Sequence, residues 1–362
     1  MTKVLCFSSS HRIGLTDQLV EQGVAYLGTG ALDCVFLAGE REQHPGLQAR
    51  LRARGGDLRV MMGLDEHRGG GRLLRELASV LRGFRPEFVS VQTNWQLALS
   101  VLAAAKVRQH PRLVYTINGY RHNHPVRSVA ARAAIGAALL LFAWRVIAPS
   151  RFLARQFGVV RGRISVIPLG ASELFFREPP PPDFSAPPRI VFAGEFRTGK
   201  NQDLLIRAFA RYVAASGDRR GELVLPGAGA QLESCRSLAR QLGLEGRVVF
   251  PGFLGREEIV GWYLRSQFAV VPANVETFGQ CIVEPLVLGR VVLTRRVGCA
   301  EDVIVDGENG FLFDSEQDLV ALLVGFETRR AELSHVAKRA LACRDRFRWE
   351  TIVQRHLEEV FT

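Results

Sequence analysis

The chain lacks the patterns that define zinc-binding, disulfide-stabilised and repetitive proteins. Its six cysteines are scattered over 362 residues, and no two of them form a C-x-x-C pair. This spacing gives little support to a zinc site, and a disulfide framework is not expected in a chain of this length. We therefore expect reduced cysteines. No low-complexity segment or repeat of fixed period is present.

Long apolar runs are missing as well. The longest one without a charge, Ala133 to Trp144, is too short to span a bilayer. The apolar run near the N-terminus is too short for a signal-peptide core and is typical of a first strand. We expect a cytoplasmic protein, with the inner face of the membrane as a further place of action. The stretch from Val129 to Trp144 predicts a buried helix because apolar residues surround it, and lipid contact is the alternative.

Acidic residues are scarce in the first half of the chain. Residues 1–175 hold 23 Lys and Arg against 11 Asp and Glu, whereas residues 176–362 hold 24 against 25. A basic half indicates an anionic partner, namely a membrane surface, a phosphorylated substrate or nucleic acid. The alternative is a solubility feature of an arginine-rich proteome. No nucleic-acid-binding module or aromatic-rich basic motif is present, so we expect no nucleic-acid partner.

Apolar strand patterns alternate with helical patterns along the whole chain. Continuous apolar strands separated by helices predict parallel sheets covered on both faces. The predicted strands are Lys3–Ser8, Cys34–Ala38, Val60–Gly63, Phe88–Gln92, Leu113–Ile117, Arg145–Ala148, Ile190–Ala193, Leu223–Leu225, Val248–Phe250, Ala269–Val271 and Val291–Thr294. The clearest helical patterns are Asp17–Leu27, Arg72–Arg82, a helix from Asn201, and Trp349–Phe361 at the end.

A proline-rich segment interrupts this alternation and marks the best domain boundary. Proline lacks a backbone donor and fixes φ, so residues 176–188 cannot form a helix or an interior strand. We predict an N-terminal domain over residues 1–175 and a C-terminal domain over 189–345. The last helix, residues 346–362, is expected to pack back toward the first domain. Two such α/β units would face each other across a central cleft, with ligands at the carboxyl ends of the strands.

The turn after the first strand of the second domain combines glycine with basic residues. The segment Val191-Phe-Ala-Gly-Glu-Phe-Arg-Thr-Gly-Lys-Asn leads from a strand into a helix. Helix-start amides together with Arg197 and Lys200 suit a diphosphate. A P-loop is excluded because Asn201 stands where that motif needs Ser or Thr. The alternative is an ordinary turn with solvated charges.

Two glutamates eight positions apart form the strongest motif, Glu276-Thr-Phe-Gly-Gln-Cys-Ile-Val-Glu284. It follows an apolar strand, so Glu276 is predicted on the loop and Glu284 inside the next helix, about two turns along. Gly279 permits close backbone approach at the helix start, where amides can hold a phosphate. Carboxylates accept hydrogen bonds from hydroxyls of a sugar and a ribose. The alternative is a pair of surface glutamates favoured by the helix dipole.

These motifs resemble the family-4 retaining glycosyltransferases, which have the GT-B fold of two Rossmann-like domains. The E-x7-E pattern is joined by Gly289-Arg-Val-Val-Leu-Thr294, Val297-Gly-Cys-Ala-Glu-Asp302 and Asp306-Gly-Glu-Asn-Gly-Phe-Leu-Phe313. Val146-Ile-Ala-Pro-Ser-Arg151 and Val166-Ile-Pro-Leu-Gly170 are similar to the family as well. The resemblance covers residues 85–360 and is most specific within 189–313.

The resemblance implies a role for each matched position. Lys200 and Arg197 would hold the diphosphate of a nucleotide sugar, and Glu276 would bind the donor sugar and share in catalysis. Glu284 would bind the ribose. The remaining donor-side residues implied by the resemblance are Gly14, Gly194, Gly252, Phe253, Phe278, Gly279, Gln280 and Cys281. No metal and no cofactor besides the donor substrate is implied.

The chain departs from the family at three places. Glu195 stands where the family has arginine, with Arg197 two positions later. Asn118 replaces a histidine near the end of a first-domain strand, and the first loop, which includes Gly14, lacks paired glycines. On the acceptor side we therefore name Asn118 and His122; for His122, with His124 nearby, a solvated loop position is the alternative.

The sequence thus predicts a retaining glycosyltransferase of the hexosyltransferase type, acting in the synthesis of bacterial surface polysaccharide or another lipid-linked glycan. Its basic half would make peripheral contact with an anionic membrane. A nucleotide-sugar epimerase or a glycan phosphorylase on the same fold is the alternative, and a basic nucleic-acid-binding protein is a remote one.

Overall fold

The protein consists of two compact units. The computed structural model describes residues 1–7, 13–38, 45–61, 64, 70–118, 125–217, 220–326 and 328–362. The first unit comprises Met1–Gly170 together with Arg348–Thr362, and the second comprises Ala171–Phe347. Each unit has its own parallel sheet and is described by itself.

The sheet of the first unit has seven parallel strands in the order β3-β2-β1-β4-β5-β6-β7. The strands are β1 (Thr2–Phe7), β2 (Leu32–Ala38), β3 (Asp57–Val60), β4 (Phe88–Val91), β5 (Arg112–Thr116), β6 (Ala143–Ala148) and β7 (Ile164–Val166). The helices between them are α1 (Ile13–Gly28), α2 (Pro45–Ala53), α3 (Gly70–Phe84), α4 (Asn94–Val107), α5 (Pro125–Phe142) and α6 (Arg151–Ala154), followed by a 3₁₀ segment over Arg155–Arg163.

The second unit repeats this plan with six parallel strands in the order β10-β9-β8-β11-β12-β13. The strands are β8 (Arg189–Val191), β9 (Glu222–Val224), β10 (Val248–Val249), β11 (Phe268–Val271), β12 (Val291–Thr294) and β13 (Phe311–Leu312). The helices are α7 (Gln202–Ser216), α8 (Leu232–Gln241), α9 (Arg256–Leu264), α10 (Gln280–Val287), α11 (Ala300–Val303), α12 (Glu316–Val324) and α13 (Arg330–Ala342), with 3₁₀ turns at Glu173–Phe175 and Arg344–Phe347.

These two doubly wound sheets confirm the α/β fold predicted from the alternating pattern. The strand order reverses between β1 and β4 in the first sheet and between β8 and β11 in the second. The predicted bounds of the third strand were wrong: β3 ends at Val60, where the prediction had it begin. That edge strand is mostly exposed and carries no apolar run. The short strands β7 and β13 were missed because two or three residues give no detectable period.

The proline-rich segment is fastened to the second unit. Arg290 is almost completely buried, and its guanidinium donates hydrogen bonds to the carbonyl oxygens of Ser266 and Pro180. Burial lowers the pKa of Arg290 to about 10. The side chain of Gln267 adds a second tie by donating to the carbonyl of Asp183 at 2.7 Å. The segment predicted as a linker is therefore an ordered border of the second unit, although its prolines exclude regular structure.

The final helix, α14 (Trp349–Glu359), packs within the first unit. Trp349 lies against Gly170, where an added Cβ would come within 2.5 Å of the indole ring. His356 is buried, and its Nδ1 accepts hydrogen bonds from the hydroxyl of Tyr26 at 2.8 Å and from Gln22 at 3.2 Å. Burial lowers the pKa of His356 to about 3, with a smaller contribution from Arg355. The imidazole is thus a neutral acceptor inside the core.

The prediction that residues 129–144 form a buried helix was wrong for the part of α5 whose side chains are described. Leu139 is fully buried, but Leu140, Leu141 and Phe142 are exposed, as is Trp144 at the start of β6. In this part of α5 only Gly136 and Leu139 are buried, and Gly136 faces Val159 of the 3₁₀ segment, so an all-round apolar composition leaves the other sides of the helix uncovered. Within the described ranges, no helix is both long and apolar enough to cross a membrane.

The neutral His356 makes the stability of the first unit depend on pH. Because its folded pKa lies below the unfolded value of about 6.5, the unfolded chain binds more protons as the pH falls. Stability is therefore complete above pH 6.5 and should decrease by about 1.4 kcal/mol per pH unit from there toward pH 3. His356→Asn keeps an acceptor for Tyr26 and should flatten this slope in urea titrations between pH 5 and 8.

The control for this experiment is His335→Gln, which changes an exposed histidine of the second unit. Tryptophan fluorescence can follow the transition because Trp95, Trp144 and Trp349 all lie in the first unit. If the His356→Asn protein lost stability toward low pH as steeply as the parent, the neutral buried state of His356 would be disproved.

Candidate functional site

The reversal of strand order in the second sheet brings two chemically distinct loops together. Strands β8 and β11 pair directly, with Ile190 opposite Phe268 and Val191 opposite Ala269. The loop after β8 carries Lys200, and the loop after β11 carries Glu276. Ligands of open α/β sheets bind at this point, outside the carboxyl ends of the strands.

Lys200 and Glu276 form a nearly buried ion pair. Lys200 Nζ donates to Glu276 Oε1, and the two side chains are only 12% and 11% exposed. Burial alone would lower the pKa of Lys200, but the carboxylate of Glu276 outweighs it, so the pKa lies above its usual value. Lys200 is therefore a fixed positive charge at neutral pH, placed 76 residues from its partner in sequence.

Cys281 lies beside this pair. Its Sγ is 3.7 Å from Glu276 Oε1 and is oriented to donate to it. Burial raises the pKa of the Cys281 thiol well above its usual value, and the charge of Glu276 raises it further. The thiol is therefore protonated at neutral pH and acts as a weak donor to the carboxylate.

Hydrogen bonds hold the two loops in register. Asn201 precedes α7 with a left-handed backbone, φ 56°, and its side chain donates to the carbonyl of Pro272 at 2.9 Å. The amide of Asn274 donates to the carbonyl of Gly199 at 2.9 Å. The Lys200 backbone is thereby fixed against the β11 loop from both sides, which keeps its ammonium next to Glu276.

Arg197 pairs with Glu195 beside the site. Its Nε donates to Glu195 Oε2 at 3.1 Å, and its side chain is 43% exposed. Its charge is near enough to Lys200 to oppose the rise in the pKa of that lysine. The residue that departs from the family pattern, Glu195, thus holds Arg197 at the rim of the site rather than in contact with Glu276.

The start of α10 forms the third side of the site. Gly279 precedes the helix with φ 96°, a conformation that favours glycine, while Phe278 before it is buried. Glu284 is the fifth residue of α10, so it lies about one turn inside the helix rather than the two turns predicted, because the helix begins only at Gln280. Burial raises the pKa of the Tyr263 hydroxyl, and the charge of Glu284 raises it further. Gln280 and Cys281 are the first two residues of the helix.

The loop after β10 reaches the same edge of the sheet. Gly252 has φ 82°, and its carbonyl accepts a hydrogen bond from the amide of Gly227 at 2.8 Å. Phe253 is 78% exposed. An exposed aromatic ring beside a polar backbone edge offers a stacking surface for a planar group.

Sequence reasoning missed the glycines after β9. An added Cβ on Gly227 would lie 2.0 Å from the carbonyl oxygen of Gly194, and one on Gly229 would lie 2.4 Å from that of Phe196. Both have φ near 150°. The detectable signal was the run Pro226-Gly-Ala-Gly directly after a strand, which indicates close backbone approach.

Gly298, within a signature that the resemblance had flagged, has a comparable role after β12. An added Cβ there would lie 2.2 Å from the carbonyl oxygen of Phe278. The amide of Cys299 donates to that same carbonyl at 2.7 Å. The β12 loop therefore supports the backbone that leads into α10.

The first-unit predictions are described only in part. Asn118 follows β5 and donates through Nδ2 to Gln92 Oε1 at 2.8 Å, next to the end of β4. Gly14 is the second residue of α1, so the helix begins before the position predicted as loop. His122 and His124 lie outside the described residues. Across the parts of the chain that are described, no cluster of three His, Cys, Asp or Glu side chains could hold a metal ion.

Two family models match adjoining parts of the chain. Residues 177–340 match the model described as glycosyl transferases group 1, and residues 32–172 match the model of glycosyltransferase family 4. Together they span both units, and the first includes every second-unit residue of the site described above.

Curated relatives resemble part of the chain. A D-inositol 3-phosphate glycosyltransferase of Xylanimonas cellulosilytica is 29% identical over 219 residues, which are 55% of this chain and 51% of the relative. The protein of the same name from Acidothermus cellulolyticus is 26% identical over 249 residues, or 64% of this chain and 55% of the relative. The chain thus spans about half the length of the curated relatives it matches.

Solved structures match over nearly the whole length. Anabaena HepE, crystallised with UDP and glucose, has a TM-score of 0.78 at 21% identity, with 99% of each chain covered. The apo form of the lipopolysaccharide outer core galactosyltransferase WaaB has a TM-score of 0.75 at 16% identity, also with 99% of each chain covered. At these identities the likeness shows a shared fold.

The contact between Gly227 and Gly194 predicts an unusually large effect of a single methyl group. Gly227→Ala must displace the β8 and β9 loops and should destabilise the second unit by at least about 3 kcal/mol. Gly243→Ala is the matched control, because Gly243 also has a positive φ but an added Cβ meets nothing within 4 Å. That change should cost about 1 to 2 kcal/mol. Urea denaturation measures both, and equal losses would refute the close approach.

Proposed function

Because the chain belongs to the group 1 glycosyl transferases, we propose that it transfers a sugar from a nucleotide diphosphate sugar to an acceptor hydroxyl. The observation that carries this proposal is the buried pair of Lys200 and Glu276 at the strand-order reversal. A cation and a carboxylate held side by side suit a ligand that combines a diphosphate with a hydroxyl-rich ring.

On binding, the donor would replace the contact between Lys200 and Glu276 with its own contacts to each. Phosphate oxygens would take Lys200 as counter-ion, while the carboxylate of Glu276 would accept hydrogen bonds from sugar hydroxyls. Glu284 would accept from the ribose, one helical turn along α10, and the exposed ring of Phe253 would flank the base. The neighbours crystallised with UDP and with UDP-glucose support a uridine nucleotide as the donor.

Charge develops on the diphosphate as the glycosidic bond breaks. Lys200, the amides at the start of α10 and Arg197 would stabilise that charge, which makes electrostatic preorganisation the main source of catalysis. We propose a metal-independent reaction on this basis. We also propose retention of the anomeric configuration, with the acceptor hydroxyl attacking from the face that the diphosphate leaves. The leaving phosphate would accept its proton.

The acceptor is proposed to be a lipid-linked glycan of a bacterial surface polysaccharide, reached at the inner face of the membrane. The fold neighbour described as a lipopolysaccharide outer core galactosyltransferase supports this class. The relatives named for inositol 3-phosphate favour a phosphorylated polyol as the second candidate acceptor. An epimerase or a glycan phosphorylase on the same fold is the alternative. A product formed without an acceptor would reveal the first, and phosphate-dependent glycan breakdown would reveal the second.

Thermal shift against UDP-, GDP-, ADP- and dTDP-sugars tests the donor site. We expect one nucleotide class to raise the melting temperature of the parent, because only the folded form binds it. Lys200→Met together with Glu276→Gln removes both charges without leaving one buried alone, and should weaken donor binding about 10- to 100-fold. Glu284→Ala should weaken the binding of the free nucleotide as well as that of the nucleotide sugar.

Two further variants serve as comparisons. Glu245→Ala removes an exposed glutamate of the same unit and should leave the shift unchanged. Arg197→Gln tests the rim position: a loss as large as that of the double variant would show that Arg197 leaves Glu195 to contact the diphosphate. No shift with any nucleotide sugar in the parent would overturn the proposed donor site.

Stereochemistry tests the proposed mechanism. Slow hydrolysis of an α-configured donor, followed by proton NMR before mutarotation, reports the first-formed anomer without any acceptor. We expect the α anomer first. Initial release of the β anomer would rule out retention while leaving the donor site intact.

A further inference from the structure

The positive charge of the protein is concentrated in one acid-free segment. Residues 88–172 contain eleven Lys and Arg and not one Asp or Glu. The other 277 residues hold 36 basic and 36 acidic side chains, so the whole net charge of +11 resides in this segment. It extends from β4 to just beyond β7 in the first unit. The positive potential of this segment attracts anions, and no acidic side chain within the segment reduces it.

The same segment exposes an apolar stripe. On α5, the exposed residues after position 132 are Ala133, Ala134, Ala137, Leu140, Leu141 and Phe142. Positions 133, 137 and 141 are four residues apart and so follow one side of the helix. Leu141 is 75% exposed. Trp144 extends the stripe at the start of β6, and no charged residue occurs from Ala133 to Trp144.

Arginines flank the apolar end of this stripe. The guanidinium carbon of Arg112 lies 4.4 Å from the Trp144 ring centre, and that of Arg145 lies 5.3 Å from it. Arg112 also donates to the terminal carbonyl oxygen of Thr362. Arg163 donates from Nη1 to the carbonyl oxygen of Leu140 in the last turn of α5 and to that of Ala143 at the start of β6, both at 2.7 Å. The helix end is therefore satisfied by a cation, which lies beside exposed leucine and phenylalanine.

A second copy of the chain fits this surface poorly. A face-to-face pairing of α5 would bring together two sets of arginines from a segment that supplies no acid to neutralise them. A bilayer with anionic headgroups fits both the exposed apolar stripe and the arginines that flank it. Apolar side chains enter the boundary between headgroups and acyl chains, the indole occupies the interface, and each arginine near the surface adds attraction.

We propose that α5 from Ala133 onward, together with Trp144, docks in the plane of an anionic lipid surface, with Arg112, Arg145 and Arg163 paired with headgroups. The proposal deepens the proposed function and rests on it for the lipid-linked acceptor, since it names the surface that brings the enzyme to that acceptor. Its test is independent of sugar transfer.

Vesicle co-sedimentation of the full chain measures this docking. We expect binding to phosphatidylcholine vesicles that contain 30% phosphatidylglycerol, release as the salt concentration rises, and weak binding to pure phosphatidylcholine. Leu141→Gln should lower the partition coefficient about tenfold. Leu102→Gln, at a 58% exposed position of α4 in the same acid-free segment, is the matched control and should bind like the parent.

Trp144 supplies a direct readout of insertion. Its fluorescence should shift to shorter wavelength on anionic vesicles and be quenched by brominated phosphatidylglycerol, and Trp144→Gln should abolish both effects. The UDP-sugar thermal shift of Leu141→Gln should equal that of the parent, so failure of docking and failure of the donor site are distinguishable.

Three results would overturn the proposal. The parent could fail to bind anionic vesicles, or Leu141→Gln and Leu102→Gln could bind equally. Alternatively, sedimentation velocity without lipid could show a dimer that Leu141→Gln dissociates, which would assign the stripe to a second copy of this chain.

Discussion

A lysine and a glutamate buried side by side at the strand-order reversal of the second sheet form the interaction on which the proposed chemistry depends. Removing both charges from water costs several kcal/mol, and their mutual attraction offsets this cost without adding much stability. An apolar pair would stabilise the fold equally well. In the proposed function the pair serves to bind the donor, and the ammonium of Lys200 stays charged because the carboxylate of Glu276 is present.

Backbone close approach makes this arrangement possible. The loop after β9 approaches the loop after β8, and the loop after β12 approaches the loop after β11, so closely that glycines 227, 229 and 298 face carbonyl oxygens with no room for a side chain. Hydrogen bonds between the loops, such as the one from the Gly194 amide to the carbonyl of Pro226, hold them at that distance. The site therefore depends on rigid main chain as much as on the charged side chains it displays.

The first unit has a closely packed core but exposes large apolar side chains on its surface. In its core, Tyr26 and Gln22 donate hydrogen bonds to one ring nitrogen of His356, and burial lowers the pKa of the ring so that it stays neutral. Its surface exposes leucine, phenylalanine and tryptophan beside the arginines of the acid-free segment. The contrast indicates that the exposed stripe is not a defect of packing, because the same unit buries large side chains efficiently elsewhere.

Much of the fold and part of the site could be read from sequence, because period, glycine and proline act locally. The alternation of apolar strands and helices predicted the two α/β units. The strand before Glu276 and the spacing to Glu284 predicted that the first lies on a loop and the second in the helix that follows. The sequence could not show that Lys200 meets Glu276, that Glu195 holds Arg197 at the rim, or that α5 leaves one side bare. Those outcomes depend on which strands become neighbours and how much of each helix the sheet covers, and only tertiary packing decides both.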